Sequence, residues 1–247
     1  MTDKALIKQR FSRAAHTYHS QAAAQREIAL NLARILAAFD PKTEGRVLEI
    51  GCGTGFLTLE LRRRWNPKFL AVNDLSDKML MQLADAEADM KIEGDAETVP
   101  FPSHLDLIAS CSTVQWFENP AGFFDKCADS LSQGGLLAVS SFGERNMQEI
   151  ALLTSSALQY RSTDDIASML QRRFDVLHMS QTCFHTVFAS PRQVLNHLKD
   201  TGVTGTGGSP WTRRKLTEFE ERYRTEFPCE GGVRLTYNPI YFIARKK

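Results

Sequence analysis

The stretch Val47-Leu-Glu-Ile-Gly-Cys-Gly-Thr-Gly-Phe56 holds the residues best suited to chemistry. Gly51, Gly53 and Gly55 lie between an apolar run and a segment of helical periodicity. Glycine lacks the Cβ that would keep a ligand off the main chain. A turn of this kind at the carboxyl end of a first strand is where open α/β sheets bind nucleotides. A dinucleotide fingerprint needs GxGxxG, yet Phe56 occupies the sixth position and Gly55 falls one residue early. Glu49 puts a carboxylate just before the turn, which suits a cationic ligand better than a pyrophosphate. Cys52, inside the loop, reads as a small filler.

Further acids follow in order. Asp74 ends a second apolar run about 20 residues beyond the loop, where an acid accepts ribose hydroxyls. Asp95, in GDAETVPF, ends a third run and is placed to accept from an adenine amino group, with the Ala96 N–H facing the ring. Leu75 and Met79 would pack on the purine face, and Glu97 and Ser112 complete this set. Either acid taken alone also reads as a helix N-cap. Three elements in register favour a nucleoside bearing positive charge. S-adenosylmethionine carries a sulfonium and an ammonium, and S-adenosylhomocysteine would be the product left behind. No metal is expected, because the five cysteines are scattered without CxxC spacing. His16, His185 and His197 likewise have no partners at ligand spacing.

The elements that must hold these residues alternate. Helical periodicity runs through residues 1–40 and stops at Pro41. Strands are expected at 46–51, 69–74, 90–95, 106–111 and 136–142. Between them come helices at 57–65, at 76–86 (capped by Ser76) and at 120–131. This alternation predicts a doubly wound, mostly parallel α/β sheet. Beyond it, 146–160 and 163–173 read as helical, 175–190 as extended, 191–201 and 212–226 as helices around the loop TGVTGTGGSP, and 231–247 as a closing strand. One domain over 1–247 is expected. Residues 45–142 would be its nucleoside-binding core, and 143–230 a mainly helical segment for substrate.

Composition excludes several classes. A net charge of +1 gives no broad field for nucleic acid or an anionic membrane. The start MTDKALIKQRF has no continuous apolar core, and no run approaches about 18 apolar residues. A cytoplasmic monomer with reduced thiols is expected.

The order ExGxGxG, Asp74, GDA resembles class I methyltransferases across 45–142, which implies a seven-stranded sheet. Over nearly its whole length the chain resembles the malonyl-[acyl-carrier protein] O-methyltransferases of biotin synthesis. FSRAAHTYHSQAAAQREIA at 11–29, CSTVQWFENP at 111–120 and VLNHLKDTGVTGT at 194–206 carry that likeness. His19 departs from it, since an acid usually follows the tyrosine. The resemblance implies methyl transfer to the free carboxylate of a malonyl thioester carried on an acidic acyl carrier protein or on coenzyme A. It makes 1–40 a lid, with Tyr18 reaching the methyl or the carboxylate. It sets Gln115 and Trp116 at substrate and sulfonium. An ordinary helix tyrosine and a core tryptophan are the alternative readings of Tyr18 and Trp116. STVQW differs from the NPPY type tied to amide or adenine methylation. Free small acids such as trans-aconitate, and a catalytically silent donor-binding module, are the competing functions.

A carboxylate in a dry pocket needs a cation; Arg145 and Arg161 are the candidates. Residues 151–247 carry an excess of Lys and Arg within this nearly neutral chain. Arg172, Arg173, Lys199, Arg213 and Arg214 would form a basic rim for the carrier, or simply a solvated helix face.

Overall fold

The computed structural model describes residues 3–154, 158, 160–203 and 212–247. Its elements are α1 (Lys4–Gln21), α2 (Ala23–Ala37), β1 (Arg46–Ile50), α3 (Phe56–Trp65), β2 (Phe69–Asp74), α4 (Asp77–Leu80), β3 (Met90–Glu93), β4 (Leu105–Cys111), α5 (Pro120–Ser130) and β5 (Leu131–Phe142). Then come α6 (Gln148–Leu153), α7 (Thr163–Leu170), β6 (Phe174–Gln181), β7 (Phe184–Phe188), α8 (Pro191–Asp200), α9 (Arg213–Glu226), β8 (Pro228–Cys229), β9 (Gly232–Tyr237) and β10 (Pro239–Lys246).

Seven strands form one sheet in the order β3-β2-β1-β4-β5-β10-β6. β1 to β5 run parallel, and β10 is antiparallel to both β5 and β6. Val47, Leu70 and Val72 pack into one apolar layer, and Leu48, Ile50 and Ala71 into the other. Burial on both faces explains why these strands read as unbroken apolar runs. β1 sits between β2 and β4, so the winding reverses there and leaves a crevice beyond the strand ends.

Four local expectations are corrected. The helical stretch over 1–40 breaks at Ala22, whose amide bonds the Tyr18 carbonyl at 2.8 Å. The helix expected over 76–86 is the single turn α4, followed by a short 3₁₀ turn. Side chains take over the backbone bonds there. Glu87 accepts from Ala84 N at 2.9 Å, Lys91 donates to Leu83 O at 2.7 Å, and Arg62 donates to Glu87 O at 3.0 Å.

The segments 175–190 and 231–247 each divide between two sheets. β6 and β10 belong to the main sheet, whereas β7, β9 and β8 form a second, antiparallel one. Asn238 marks the crossing. Its side chain donates to Thr182 O at 2.6 Å and accepts from Gln181 at 2.8 Å. Past α6, the helix expected to reach residue 160 includes 155–157 and 159, which lie outside the described residues. The glycine-rich loop from residue 204 to 210 lies outside them too.

Candidate active site

A cavity opens at the carboxyl ends of β1, β2 and β4. Among the described residues, its wall includes Gly51, Gly53, Asp74, Leu75, Met79, Asp95, Ala96, Ser112 and Trp116, all expected from the sequence. Four residues of α1, Lys4, Ile7, Phe11 and Tyr18, also line it. Asp3 starts that helix by accepting from Leu6 N at 2.9 Å. Ser12 then meets Ser76 at 2.8 Å, and Thr17 donates to Asp200 O at 2.9 Å, so the helix lies across the crevice.

The loop after β1 is tied to the end of β2. Gly53 N donates to Asp74 Oδ2 at 2.9 Å, and Ser76 N to Asp74 Oδ1 at 2.8 Å. Ser76, not Asp74, caps α4. Gly53 has φ +55, and a Cβ built on it would project toward Tyr18, whose ring lies 3.8 Å away. Burial pushes the Asp74 carboxyl up to about 6, opposed by the amides of Ser76, Gly53 and Leu75.

Beside β4, Ser112 is held with φ +54, a left-handed conformation that costs a non-glycine residue about 1–2 kcal/mol. Gln115 Nε2 donates to Ser112 O at 2.6 Å, and Ser141 donates to Gln115 Oε1 at 3.3 Å. Gln115 therefore braces the wall rather than forming it. Trp116 is buried edge-on to Phe11, with centroids 5.8 Å apart. Tyr18 packs against Phe11 and Phe56, and burial raises its phenol pKa, so it stays protonated across the neutral range.

Other expected residues lie outside the wall for visible reasons. Glu49 is 1% exposed beneath the loop, where it accepts from Thr58 at 2.6 Å. Burial raises its pKa to about 8. Cys52 is buried behind the loop, and Gly55 faces Leu83. Glu97 accepts from Asn119 N at 2.7 Å and Glu118 N at 3.0 Å, so it orders the chain after the 3₁₀ turn Val114–Trp116.

Arg145 and Arg161 are exposed and form no ion pair among the described residues. Arg172 and Arg173 reach Asp125 and Asp129 of α5 at 3.3 and 2.6 Å, which pins α7 and β6 to that helix. Arg214 pairs with Glu218 at 3.6 Å. Lys199 and Arg213 have no such partner among the described residues. Several wall residues escaped the sequence reading, among them Lys4, Phe11, Phe117 and Thr113. Thr113 and Phe117 stand in the segment already singled out around Gln115, whereas Lys4 gave no signal at all.

Acids in the wall, aromatic rings around them and a glycine loop with its main chain facing the cavity fit an adenosyl ligand carrying positive charge. A sheet in this order with such a cavity defines the class I methyltransferases. Residues 48–139 match the methyltransferase domain family. A putative methyltransferase of Bacillus halodurans superposes with a TM-score of 0.64 at 20% identity, covering 87% of this chain and 98% of that one. An N-methyltransferase of Haemonchus contortus, solved with S-adenosylhomocysteine, gives 0.56 at 17% identity over 87% of this chain and 52% of that one. These two share the fold.

Closer likeness comes from sequence. The malonyl-[acyl-carrier protein] O-methyltransferase of Bacteroides thetaiotaomicron is 40% identical, over 99% of both chains. That of Bacteroides fragilis is 42% identical over 100% of this chain, which spans 51% of its length. That of Acinetobacter baylyi is 37% identical over 99% of this chain and 97% of its own. The chain belongs to the malonyl-[acyl-carrier protein] O-methyltransferase family. Among the described residues, no helix is long and apolar enough to cross a membrane and no cluster could hold a metal ion.

Proposed function

We propose that this chain methylates the free carboxylate of a malonyl group held as a thioester on an acyl carrier protein, in the synthesis of biotin. The carrying observation is the 40% identity to the Bacteroides thetaiotaomicron enzyme over 99% of both chains. S-adenosylmethionine supplies an electrophilic methyl on a sulfonium and leaves as the neutral thioether. Asp74 accepts the ribose hydroxyls and Asp95 the adenine amino group, while Met79 and Leu75 contact the adenosine.

The acceptor is already ionised at neutral pH, so no general base is needed. Attack by a carboxylate oxygen on the methyl cancels one charge of each sign, which a dry site favours. Alignment alone is worth about 7–11 kcal/mol. Tyr18, a neutral donor beside Gly53, orients the acceptor carboxylate. Arg145 supplies its counter-charge. In support, Arg145 follows β5 at the cavity end of the sheet, and its amide is anchored on Asn238 Oδ1 at 3.2 Å. Lys199 on α8 and Arg213 and Arg214 on α9, two helices that pack together, receive the acidic carrier. Arg172 and Arg173 are left out of that surface, because α5 already holds them.

The test is turnover of malonyl-carrier, malonyl-coenzyme A and trans-aconitate by the purified protein, together with rescue of biotin-free growth in a strain lacking its own malonyl methyltransferase. Preference for the malonyl thioesters and rescue are expected. Turnover of trans-aconitate alone would replace this reading with a small-acid methyltransferase.

A further inference from the structure

Lys4 is the one cation in the described cavity wall, and nothing in the reaction above uses it. Its Nζ lies 3.1 Å from Asp95 Oδ1 and 2.6 Å from Glu97 Oε2, and 5.0 Å from the centre of the Phe117 ring. Both acids are fixed from behind. Glu97 is held by two backbone amides, and Asp95 Oδ1 also accepts from Glu97 N at 3.0 Å. Asp95 Oδ1 thus has two donors, whereas Oδ2 has no partner among the described residues. The side chains of Lys4 and Asp95 are 23% and 25% exposed, so the pair is only partly screened by water.

We infer that Lys4 is a positioning residue for the methyl donor: it latches α1 onto the adenine-binding turn and orients Asp95 so that Oδ2 faces the adenine amino group. Three links in the chain of contacts carry this. Lys4 neutralises the Asp95–Glu97 pair that would otherwise hold two like charges side by side. It spans from the first turn of α1 to the turn after β3, so closing the helix and presenting Asp95 are one movement. Phe11 and Tyr18, further along the same helix, cover the rest of the cavity, so release of the donor product requires the Lys4 contacts to break. A second ion pair, between Lys8 and Glu93 at 2.7 Å, also joins α1 to β3, but it is exposed and neither residue lines the cavity. That pair provides an internal control.

The experiment measures dissociation of S-adenosylhomocysteine by stopped flow in wild type, K4M, K4R and K8M, with thermal melting of each. K4M should release the ligand about 10- to 100-fold faster, the range expected for losing charged hydrogen bonds. K4R should stay within about threefold and K8M within about twofold of wild type. The wild-type off-rate should rise with salt between about 50 and 500 mM, and that of K4M should not. A K4M protein with normal melting and a wild-type off-rate would overturn the latch. Should K4M fail to fold, a salt-independent wild-type off-rate overturns it equally. The inference rests on the adenosyl reading of the cavity; absence of binding to wild type would strike that reading, whereas binding without the K4M effect strikes the latch alone.

Discussion

A single hydrogen bond of 2.9 Å joins the amide of Gly53 to Oδ2 of Asp74. It makes the glycine loop and the end of β2 one rigid unit. The carboxylate proposed to bind the ribose is therefore set by the same backbone that must admit the ligand. A change in the protonation of Asp74 alters both.

Affinity for S-adenosylhomocysteine should depend on pH through this residue. In the ligand-free protein burial raises Asp74 from its ordinary 3.8 to about 6. Three amides and, on the proposed reading, two ribose hydroxyls favour the ionised form, so binding should be flat above about pH 7 and weaken by about tenfold per unit below about 6. Calorimetric titrations between about pH 5 and 8 read this directly. D74N should bind weakly at every pH, and a wild-type affinity unchanged at pH 5 would contradict the assignment.

Gly53 and Gly55 should fail in different ways when given a side chain. Both have positive φ, so alanine strains each backbone by about 1–2 kcal/mol. At Gly53 the new methyl points into the cavity, with only Tyr18 near it at 3.8 Å. G53A should therefore lose ligand affinity with modest loss of melting temperature. At Gly55 the methyl would sit 2.3 Å from Leu83 Cδ2, in the apolar layer behind the loop. G55A should lower the melting temperature more than G53A does and affect binding less. The opposite ranking in paired melting and titration experiments would mean that the loop's inner and outer faces have been misassigned.

The residues that were legible from sequence are those fixed by local chemistry. The spacing of Gly51, Gly53 and Gly55, the positions of Asp74 and Asp95 at strand ends, and the alternation of apolar runs all reflect the backbone within a few residues, and the cavity wall contains Gly51, Gly53, Asp74 and Asp95, with Gly55 turned away toward Leu83. Glu49 misled because its type was readable but its direction was not; a side chain at the end of a buried strand faces whichever layer the pleat dictates, and here that layer holds Thr58. Gln115 likewise turned inward to hold Ser112. Lys4 was invisible because its partners lie 91 and 93 residues away. The second sheet was missed for a similar reason. Nothing in the run 175–190 marks where one sheet ends and another begins, since Asn238, which bridges them, belongs to a distant part of the chain.

Glu49 carries a stability prediction of definite sign. Its folded pKa of about 8 exceeds its ordinary 4.5, with burial as the chief cause. The folded ligand-free protein thus holds a proton there more tightly than the unfolded chain. The resulting cost is full above about pH 8, shrinks as pH falls, and vanishes below about 4.5. Replacing Glu49 with glutamine keeps an acceptor for Thr58 and removes the titration. Relative to wild type, E49Q should melt higher at pH 9 than at pH 6. A difference between the two proteins that stays constant over that range would show that Glu49 titrates normally.

Tyr18 separates binding from chemistry. Its ring packs with Phe11 and Phe56, while its hydroxyl has no hydrogen-bond partner among the described residues. Phenylalanine would keep the ring contacts and the closure of α1. It would remove only the hydroxyl, which burial keeps protonated and which is therefore a donor at every neutral pH. If that hydroxyl orients the acceptor carboxylate, Y18F should bind S-adenosylhomocysteine within about threefold of wild type. Its kcat/KM for the malonyl thioester should fall by about 10- to 100-fold, the value of a hydrogen bond to a charged group. Y18A, which also removes the ring from the wall, should lose both. R145A offers the complementary pattern: a higher KM for the malonyl acceptor with donor affinity intact, since its guanidinium lies outside the adenosyl wall. A Y18F enzyme that turns over like wild type would reduce Tyr18 to a packing residue and shift the acceptor's orientation onto Arg145 alone.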